Sequence, residues 1–152
     1  MKDDFQIDEK NFDEIISRAV KKECYVEVIS LVHNYLELHL KSLIARKLAN
    51  IKSKHLPEKI KILQNRGGNF LKYLNDYNEI AFLLGCLDQN MYEEIKKFNA
   101  DRNKVMHQIL KKTKPYSKLK KIAKKGRTIQ IIFNPFKFTE ADMLQKMQTE
   151  WE

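Results

Sequence analysis

The sequence predicts an all-α domain, and three observations support this class. The 152 residues include only four glycines and three prolines, too few for the many turns of a β-sandwich. Apolar residues make up 43% and charged residues 32%, the balance of a folded globular chain. Apolar residues also recur at the three- and four-residue spacing of helices. We therefore expect one domain over residues 1–152, a bundle of four or five principal helices.

The first two predicted helices occupy the N-terminal third of the chain. Asn11, with Glu14 three residues later, forms a capping pattern before a helix over about 12–22. The next helix, over about 24–50, has apolar residues on more than one side. Such a helix is either central in a bundle or also faces a second subunit. Its main stripe comprises Val28, Leu31, Val32, Tyr35, Leu36, Leu40, Leu43, Ile44 and Leu48.

Turn signals separate the elements that follow. Pro57 opens a short helical stretch, which the sequence RGGN ends, and Asn69 is a good N-cap for a helix over about 70–86. A further helix spans about 89–113.

The C-terminal part of the chain has a mixed pattern. Residues 127–138 are β-branched and aromatic, which predicts a small β-hairpin or an extended strap. Thr139 then begins a last helix that packs Met143, Leu144 and Met147 inward.

Positive charge is concentrated in one segment. The net charge of the chain is +9, and residues 111–127 hold nine basic residues and no acid, so the remainder sums to zero. A basic segment on a neutral body is typical of proteins that bind a polyanion, although it also describes a solvated lysine-rich face. The candidate RNA contacts are Lys111, Lys112, Lys114, Lys118, Lys120, Lys121, Lys124, Lys125 and Arg127.

The sequence lacks the features that define several classes of protein. No run of about 18 apolar residues is present, and the acidic, polar N-terminus differs from a signal peptide, so we expect a cytoplasmic protein without a membrane partner. Cys24 and Cys86 stand alone, which favours buried, reduced thiols over a zinc site or a disulfide. Phosphate-loop, serine-hydrolase and zinc-protease motifs are absent, and no cofactor is predicted.

The helix over 89–113 places an arginine where its apolar seam calls for an apolar residue. Arg102 lies four residues from both Phe98 and Met106. Because burying an unpaired guanidinium costs several kcal/mol, this side chain must meet an anion, line a cavity or face an interface. A structural ion pair with Glu27 or Glu37 of the second helix is the simplest alternative.

A polar row runs beside this seam. Asn99, Asn103 and His107 follow one another at four-residue spacing. Together with Arg102 they provide hydrogen-bond donors, a fixed cation and an ionisable imidazole. These groups suit general acid–base catalysis on a phosphodiester.

A straight helix does not bring the arginine and the histidine together. Five residues place Arg102 and His107 about 140° apart around the axis and about 7.5 Å apart along it. A kink would narrow this gap, and a twofold pairing of chains would bring one subunit's arginine towards the other's histidine. We favour a homodimer.

The stretch from Arg102 to His107 resembles the Rx4–6H motif of HEPN domains, the higher eukaryote and prokaryote nucleotide-binding family. The long preceding helix, CYVEVISLVHNYLELHLKSLIARKL, and the aromatic before the motif in KKFNADRNKVMH resemble the family too. The resemblance covers about residues 14–112. It implies a HEPN-like bundle that pairs as a homodimer, with two copies of the motif lining a cleft between subunits.

The resemblance also implies an activity. Many HEPN proteins are metal-independent endoribonucleases of toxin–antitoxin or phage-defence systems, in which the RNA's own 2′-hydroxyl attacks. His107 would then be the acid–base catalyst, Arg102 would stabilise charge on the phosphate, and Asn103 would orient one of them or the substrate. Other members are non-catalytic modules that bind RNA, a nucleotide or a partner. Ile109 stands where toxins paired with a minimal nucleotidyltransferase carry a tyrosine, which argues against that mode of control by an antitoxin.

Overall fold

A computed structural model describes residues 9–49, 73–111, 116–133 and 151 of the chain. These residues form helices and contain no strand, which confirms the predicted all-α class. Five helices are described: α1 (Glu9–Lys21), α2 (Tyr25–Ala49), α3 (Leu74–Leu83), α4 (Gln89–Leu110) and α5 (Tyr116–Phe133). The stretch opened by Pro57, the Asn69 cap and, apart from Trp151, the helix predicted after Thr139 lie outside the described residues.

Helix α2 is the central element of the bundle. It packs against α1, α3 and α5, while α4 packs against α3 and α5, so that helices α2 to α5 form a closed ring of contacts. Its stripe residues Val28, Val32, Leu36 and Leu40 are completely buried, and Ile29, which lies off the stripe, is buried as well. The central placement that its two-sided apolar pattern allowed is therefore observed.

Two helices end in the same backbone arrangement. At the end of α1, the Cys24 and Glu23 amides donate to the Ala19 and Val20 carbonyls, and Glu23 adopts a left-handed φ of 56°. At the end of α3, Gly85 takes the equivalent position with φ 75°. This pattern is the Schellman motif, which pairs helix carbonyls that would otherwise lack donors and turns the chain sharply.

Helix α4 begins where the sequence predicts. The Asp88 carboxylate accepts a hydrogen bond of 2.7 Å from the Met91 amide, which caps the first turn. Ile95 and Phe98 are completely buried and Val105 is nearly so. The buried face of α4 thus fixes which side of the Arg102–His107 motif faces outward.

The predicted β-hairpin or extended strap over 127–138 is wrong for residues 127–133, which continue helix α5. The β-branched Ile129 and Ile131 favour strands, but both are buried within a helical pattern of inward-facing residues. Burial against the neighbouring helices outweighs the intrinsic preference of these residues for a strand, which amounts to less than about 1 kcal/mol for each residue. Residues 134–138 lie outside the described part of the chain.

Helices α4 and α5 approach closely at Gly126. A β-carbon at this position would lie 2.5 Å from Cε2 of Phe98, whose ring is completely buried. Glycine weakens a helix by about 1 kcal/mol relative to alanine. At position 126 the close approach of α4 and α5 therefore outweighs the low helix propensity of glycine.

We expect Gly126→Ala to lower the free energy of unfolding, by roughly 1–2 kcal/mol. Overpacking typically costs about 1–3 kcal/mol, which exceeds the gain of about 1 kcal/mol from replacing a helical glycine. Urea denaturation monitored by circular dichroism measures the change. Combining the variant with Phe98→Leu should recover part of the loss, whereas a more stable Gly126→Ala protein would contradict the close approach.

Candidate functional site

Arg102 and Asn103 form a hydrogen-bonded pair on the outer part of α4. Nη1 of Arg102 donates to Oδ1 of Asn103 at 2.9 Å. Arg102 is partly buried, while Asn103 and His107 are exposed. Arg102, Asn103 and His107 therefore lie at the surface of the chain, Arg102 in part.

The guanidinium of Arg102 has hydrogen-bonding capacity left over. Its Nε is buried and finds no hydrogen-bond partner within the described ranges. An unpaired buried donor costs about 1–3 kcal/mol, a penalty that an incoming acceptor would relieve. An acceptor that binds beside Arg102 can use this donor.

The alternative of a structural ion pair is not seen among the residues that the structure describes. Glu37, one of the two candidate partners, instead binds Lys41 at 3.2 Å. No carboxylate of the described chain lies within ion-pair distance of Arg102. The positive charge of Arg102 is thus not neutralised by a direct partner in these segments.

Asn99 has a structural role rather than belonging to the exposed site. It is only 4% exposed, and its Nδ2 donates to Oδ1 of Asn75 at 3.0 Å, which joins α4 to the first turn of α3. The polar row that the sequence suggests therefore divides, with Asn99 inside the bundle and Asn103 and His107 outside.

His33 of α2 is a neighbour of Arg102 that belongs to no motif in the sequence. Burial of the imidazole lowers the pKa of His33, and the positive charge of Arg102 lowers it further. His33 precedes Glu37 by one helical turn, so both lie on the same side of α2. That four-residue spacing relates His33 to Glu37 but does not predict that His33 lies near Arg102, which belongs to a different helix.

The pKa of His33 should rise when the charge of Arg102 is removed. We expect Arg102→Gln to shift the NMR titration of the His33 imidazole to higher pH, while Lys104→Gln, on another side of α4, leaves it in place. The lowered pKa means that the unfolded chain binds a proton at higher pH than the fold does. Stability contributed by neutral His33 is complete above about pH 6.5 and falls as pH drops towards the lowered folded value. An unchanged titration in Arg102→Gln would contradict the proximity of these two groups.

Residues 116–127 of the basic segment belong to helix α5, and their charges have different surroundings. Lys118, Lys120, Lys121 and Lys124 on α5 are exposed, as is Lys111 after α4. Lys125 is partly buried and pairs with Glu94 at 3.3 Å. Lys112 and Lys114 lie outside the described residues.

Arg127 is not a surface cation, which corrects its assignment as an RNA contact. It is completely buried, and its Nη2 lies 2.9 Å from Oδ1 of Asp13 and 3.2 Å from Oγ of Ser17, both on α1. Its Nη1 also donates to the side chain of Gln130. The guanidinium connects α1 to α5 and cannot reach a polynucleotide without unfolding this contact.

Cys24 is exposed and Cys86 partly buried, and both are free thiols. The predicted burial is therefore wrong for Cys24, which follows the turn at Glu23 and precedes the first residue of α2. Among the described helices, none combines the length and the apolar character needed to cross a bilayer.

Comparison with known proteins gives no assignment. No protein-family model matches the chain, and no curated protein or solved structure does so either. The functional hypothesis therefore depends on the residues of the site and on the motif resemblance.

Proposed function

We propose that this protein is an endoribonuclease that acts as a homodimer and cleaves RNA by attack of the 2′-hydroxyl on the neighbouring phosphate. The proposal is carried by Arg102, a partly buried cation that retains an unpaired Nε donor and has no carboxylate partner within the described segments. An anion with several acceptor oxygens, such as a phosphodiester, suits this group.

Three side chains have different roles in the proposed reaction. The His107 imidazole accepts the proton of the 2′-hydroxyl as the 2′-oxygen bonds to phosphorus, and returns a proton to the 5′-oxygen as its bond to phosphorus breaks. The Arg102 guanidinium donates to the phosphate oxygens, where negative charge increases in the transition state. Asn103 holds the guanidinium through the 2.9 Å hydrogen bond. The products are a 2′,3′-cyclic phosphate and a 5′-hydroxyl, and this proton relay uses only side chains.

A homodimer supplies the arrangement that one straight helix does not. Because Arg102 and His107 are about 140° apart around the axis of α4, their side chains point in different directions in a single chain. Asn103 and His107 are exposed, so a second copy can meet this surface. In the proposed dimer the arginine of one chain and the histidine of the other flank the same phosphate.

The exposed lysines of α5 would hold the RNA backbone. Lys118, Lys120, Lys121 and Lys124 supply salt-sensitive contacts that do not distinguish sequences. Cleavage of cellular RNA by such a protein suits a toxin or phage-defence role in the cytoplasm, with an antitoxin protein as its inhibitor. Ile109, at the position where toxins paired with a minimal nucleotidyltransferase carry a tyrosine, argues against inhibition by an antitoxin of that type.

The test is cleavage of a single-stranded RNA in the presence of EDTA. We expect a 2′,3′-cyclic phosphate at each cut, and no cut where a single 2′-deoxynucleotide replaces the ribonucleotide at that point. Binding of RNA without cleavage would favour the non-catalytic RNA- or nucleotide-binding module instead. Cleavage of the 2′-deoxy substrate would exclude the 2′-hydroxyl mechanism.

A further inference from the structure

Two hydrogen bonds fix how α4 lies along α3. Nδ2 of Asn99 donates to Oδ1 of Asn75, in the first turn of α3, at 3.0 Å. Nδ2 of Asn78, further along α3, donates to the backbone carbonyl of Tyr92 at 2.9 Å. The two helices are therefore antiparallel, and Arg102, which follows Asn99 on α4, lies near the end of the bundle at which α3 begins.

Helix α2 also packs against α3 and runs in the same direction. Nζ of Lys41 lies 4.8 Å from the centre of the Tyr77 ring in the first turn of α3. Beyond the opposite end of α3, Sγ of Cys86 lies 3.9 Å from the carbonyl oxygen of Leu43. Residues of α2 that precede Lys41 therefore lie towards the start of α3.

His33 precedes Lys41 by about two helical turns, so it lies at the same end of α3 as Arg102. Burial of the imidazole lowers the pKa of His33, and the positive charge of Arg102 lowers it further. These two effects outweigh the opposite influence of Asn34 and Glu37 on this pKa. His33 is therefore a partly buried imidazole that is neutral at pH 7, beside the cation that would hold a phosphate.

Cleavage through the 2′-hydroxyl requires proton transfers on two sides of the phosphorus atom. The attacking 2′-oxygen and the leaving 5′-oxygen lie roughly in line, on opposite sides of phosphorus. An imidazole placed to take the proton from the first oxygen is badly placed to protonate the second. A base on one side and an acid on the other can act in the same step.

We propose that His33 of one chain is the general base of this reaction and that His107 of the second chain is its general acid. The inference rests on the proposed nuclease, and it divides the proton transfers of that reaction between two imidazoles. In the proposed dimer, Arg102 of one chain and His107 of the other flank the phosphate. Because His33 lies beside Arg102, it faces the phosphate from the side opposite His107.

The proton path is complete with these two groups. The 2′-oxygen bonds to phosphorus as its proton passes to His33, and the bond to the 5′-oxygen breaks as His107 protonates that oxygen. Exchange with water then removes the proton from His33 and returns one to His107. The negative charge of the bound phosphate offsets the charge of Arg102, which strengthens His33 as a base when the substrate is in place.

An RNA with sulfur in place of the 5′-oxygen at the cleavage point separates the base from the acid. A thiolate leaves without being protonated, because thiols are far stronger acids than alcohols. We expect His107→Ala to cleave ordinary RNA at least about a hundredfold more slowly than wild type, but the sulfur RNA less than about tenfold more slowly. His33→Gln keeps a polar side chain that cannot titrate, and it should lose at least about a hundredfold on both substrates.

His39→Gln is the matched control on the same helix. The imidazole of His39 lies against Tyr35 and Phe133, with ring centres 4.0 and 6.1 Å apart. This variant should cleave both substrates within about twofold of the wild-type rate. Thermal melts of the three variants show whether each is folded at the assay temperature.

The pH dependence of wild-type cleavage is a second test that needs no substitution. The rate should rise with pH below pH 6.5, because the base must be neutral and the pKa of His33 is lowered from this value. The fall in rate at higher pH reports the acid. It should disappear with the sulfur RNA, while the rise at low pH remains.

Three results would overturn the role of His33. Cleavage of ordinary RNA by His33→Gln at the wild-type rate would show that His33 transfers no proton. Recovery of His33→Gln on the sulfur RNA would make His33 an acid instead of a base. Absence of any cleavage by wild-type protein would remove the nuclease and this role together, whereas the first two results remove only the role of His33.

Discussion

Replacement of either Arg102 or His107 by alanine should slow RNA cleavage at least about a hundredfold, with little change in melting temperature. Loss of a general acid–base catalyst or of a donor to developing charge typically costs about 10² to 10⁴ in rate. His107 is exposed, and Arg102 carries an unpaired donor, so neither truncation removes an ion pair within the described segments. Single-turnover cleavage rates and thermal melts of the same preparations measure both quantities. Lys104→Ala, a loss of charge elsewhere on α4, serves as the control.

The two variants also test where the complete site is built. A purified heterodimer of one Arg102→Ala chain and one His107→Ala chain should recover about half of the wild-type rate, because one of its two shared sites keeps both groups. If each protomer held a complete site of its own, every site in this heterodimer would lack one group. Its rate would then stay as low as that of the single variants.

Asp13→Ala should lower the free energy of unfolding by about 3–5 kcal/mol, more than Gly126→Ala. It removes the carboxylate that lies 2.9 Å from the completely buried guanidinium of Arg127, and breaking one half of a buried pair typically has this cost. Urea denaturation gives the value. Glu14→Ala, which removes an exposed acid from the next position of α1, is the matched control and should stay within about 0.5 kcal/mol.

A second variant separates charge from packing at this contact. Asp13→Ala combined with Arg127→Met removes both charges and replaces the guanidinium by an apolar side chain of similar length. It should be more stable than Asp13→Ala alone, since an apolar replacement of a buried pair is often neutral or stabilising. Equal urea midpoints for Asp13→Ala and Glu14→Ala would show that the pair does not stabilise the fold.

The helices with continuous apolar stripes could be predicted from the sequence. The bounds predicted for the first two helices agree with Glu9–Lys21 and Tyr25–Ala49 to within a few residues. The helix expected from about residue 70 begins at Leu74, where the Asp76 carboxylate accepts from the Tyr73 amide. The residues after Arg127 prefer strands, and this preference led to the wrong prediction. Intrinsic preference does not account for burial between helices, which decides the structure here.

The site was less predictable than the fold because its surroundings come from distant parts of the chain. The spacing around Arg102 identified an unusual cation, but only the structure places His33 of α2 near it. Likewise, the charge count grouped Arg127 with the lysines, while its partners Asp13 and Ser17 are more than a hundred residues earlier. A count of charges cannot distinguish a buried guanidinium from a solvated ammonium group.

The burial of Arg127 limits how strongly ionic strength can control polynucleotide affinity through α5. With Arg127 inside the bundle and Lys125 paired with Glu94, four lysines of this helix are exposed. Each phosphate neutralised on a single strand releases about 0.7 of a counterion, so α5 contributes a log–log slope of about −3 at most. The nine positive charges of residues 111–127 would imply a slope of about −6 if all of them contacted the strand.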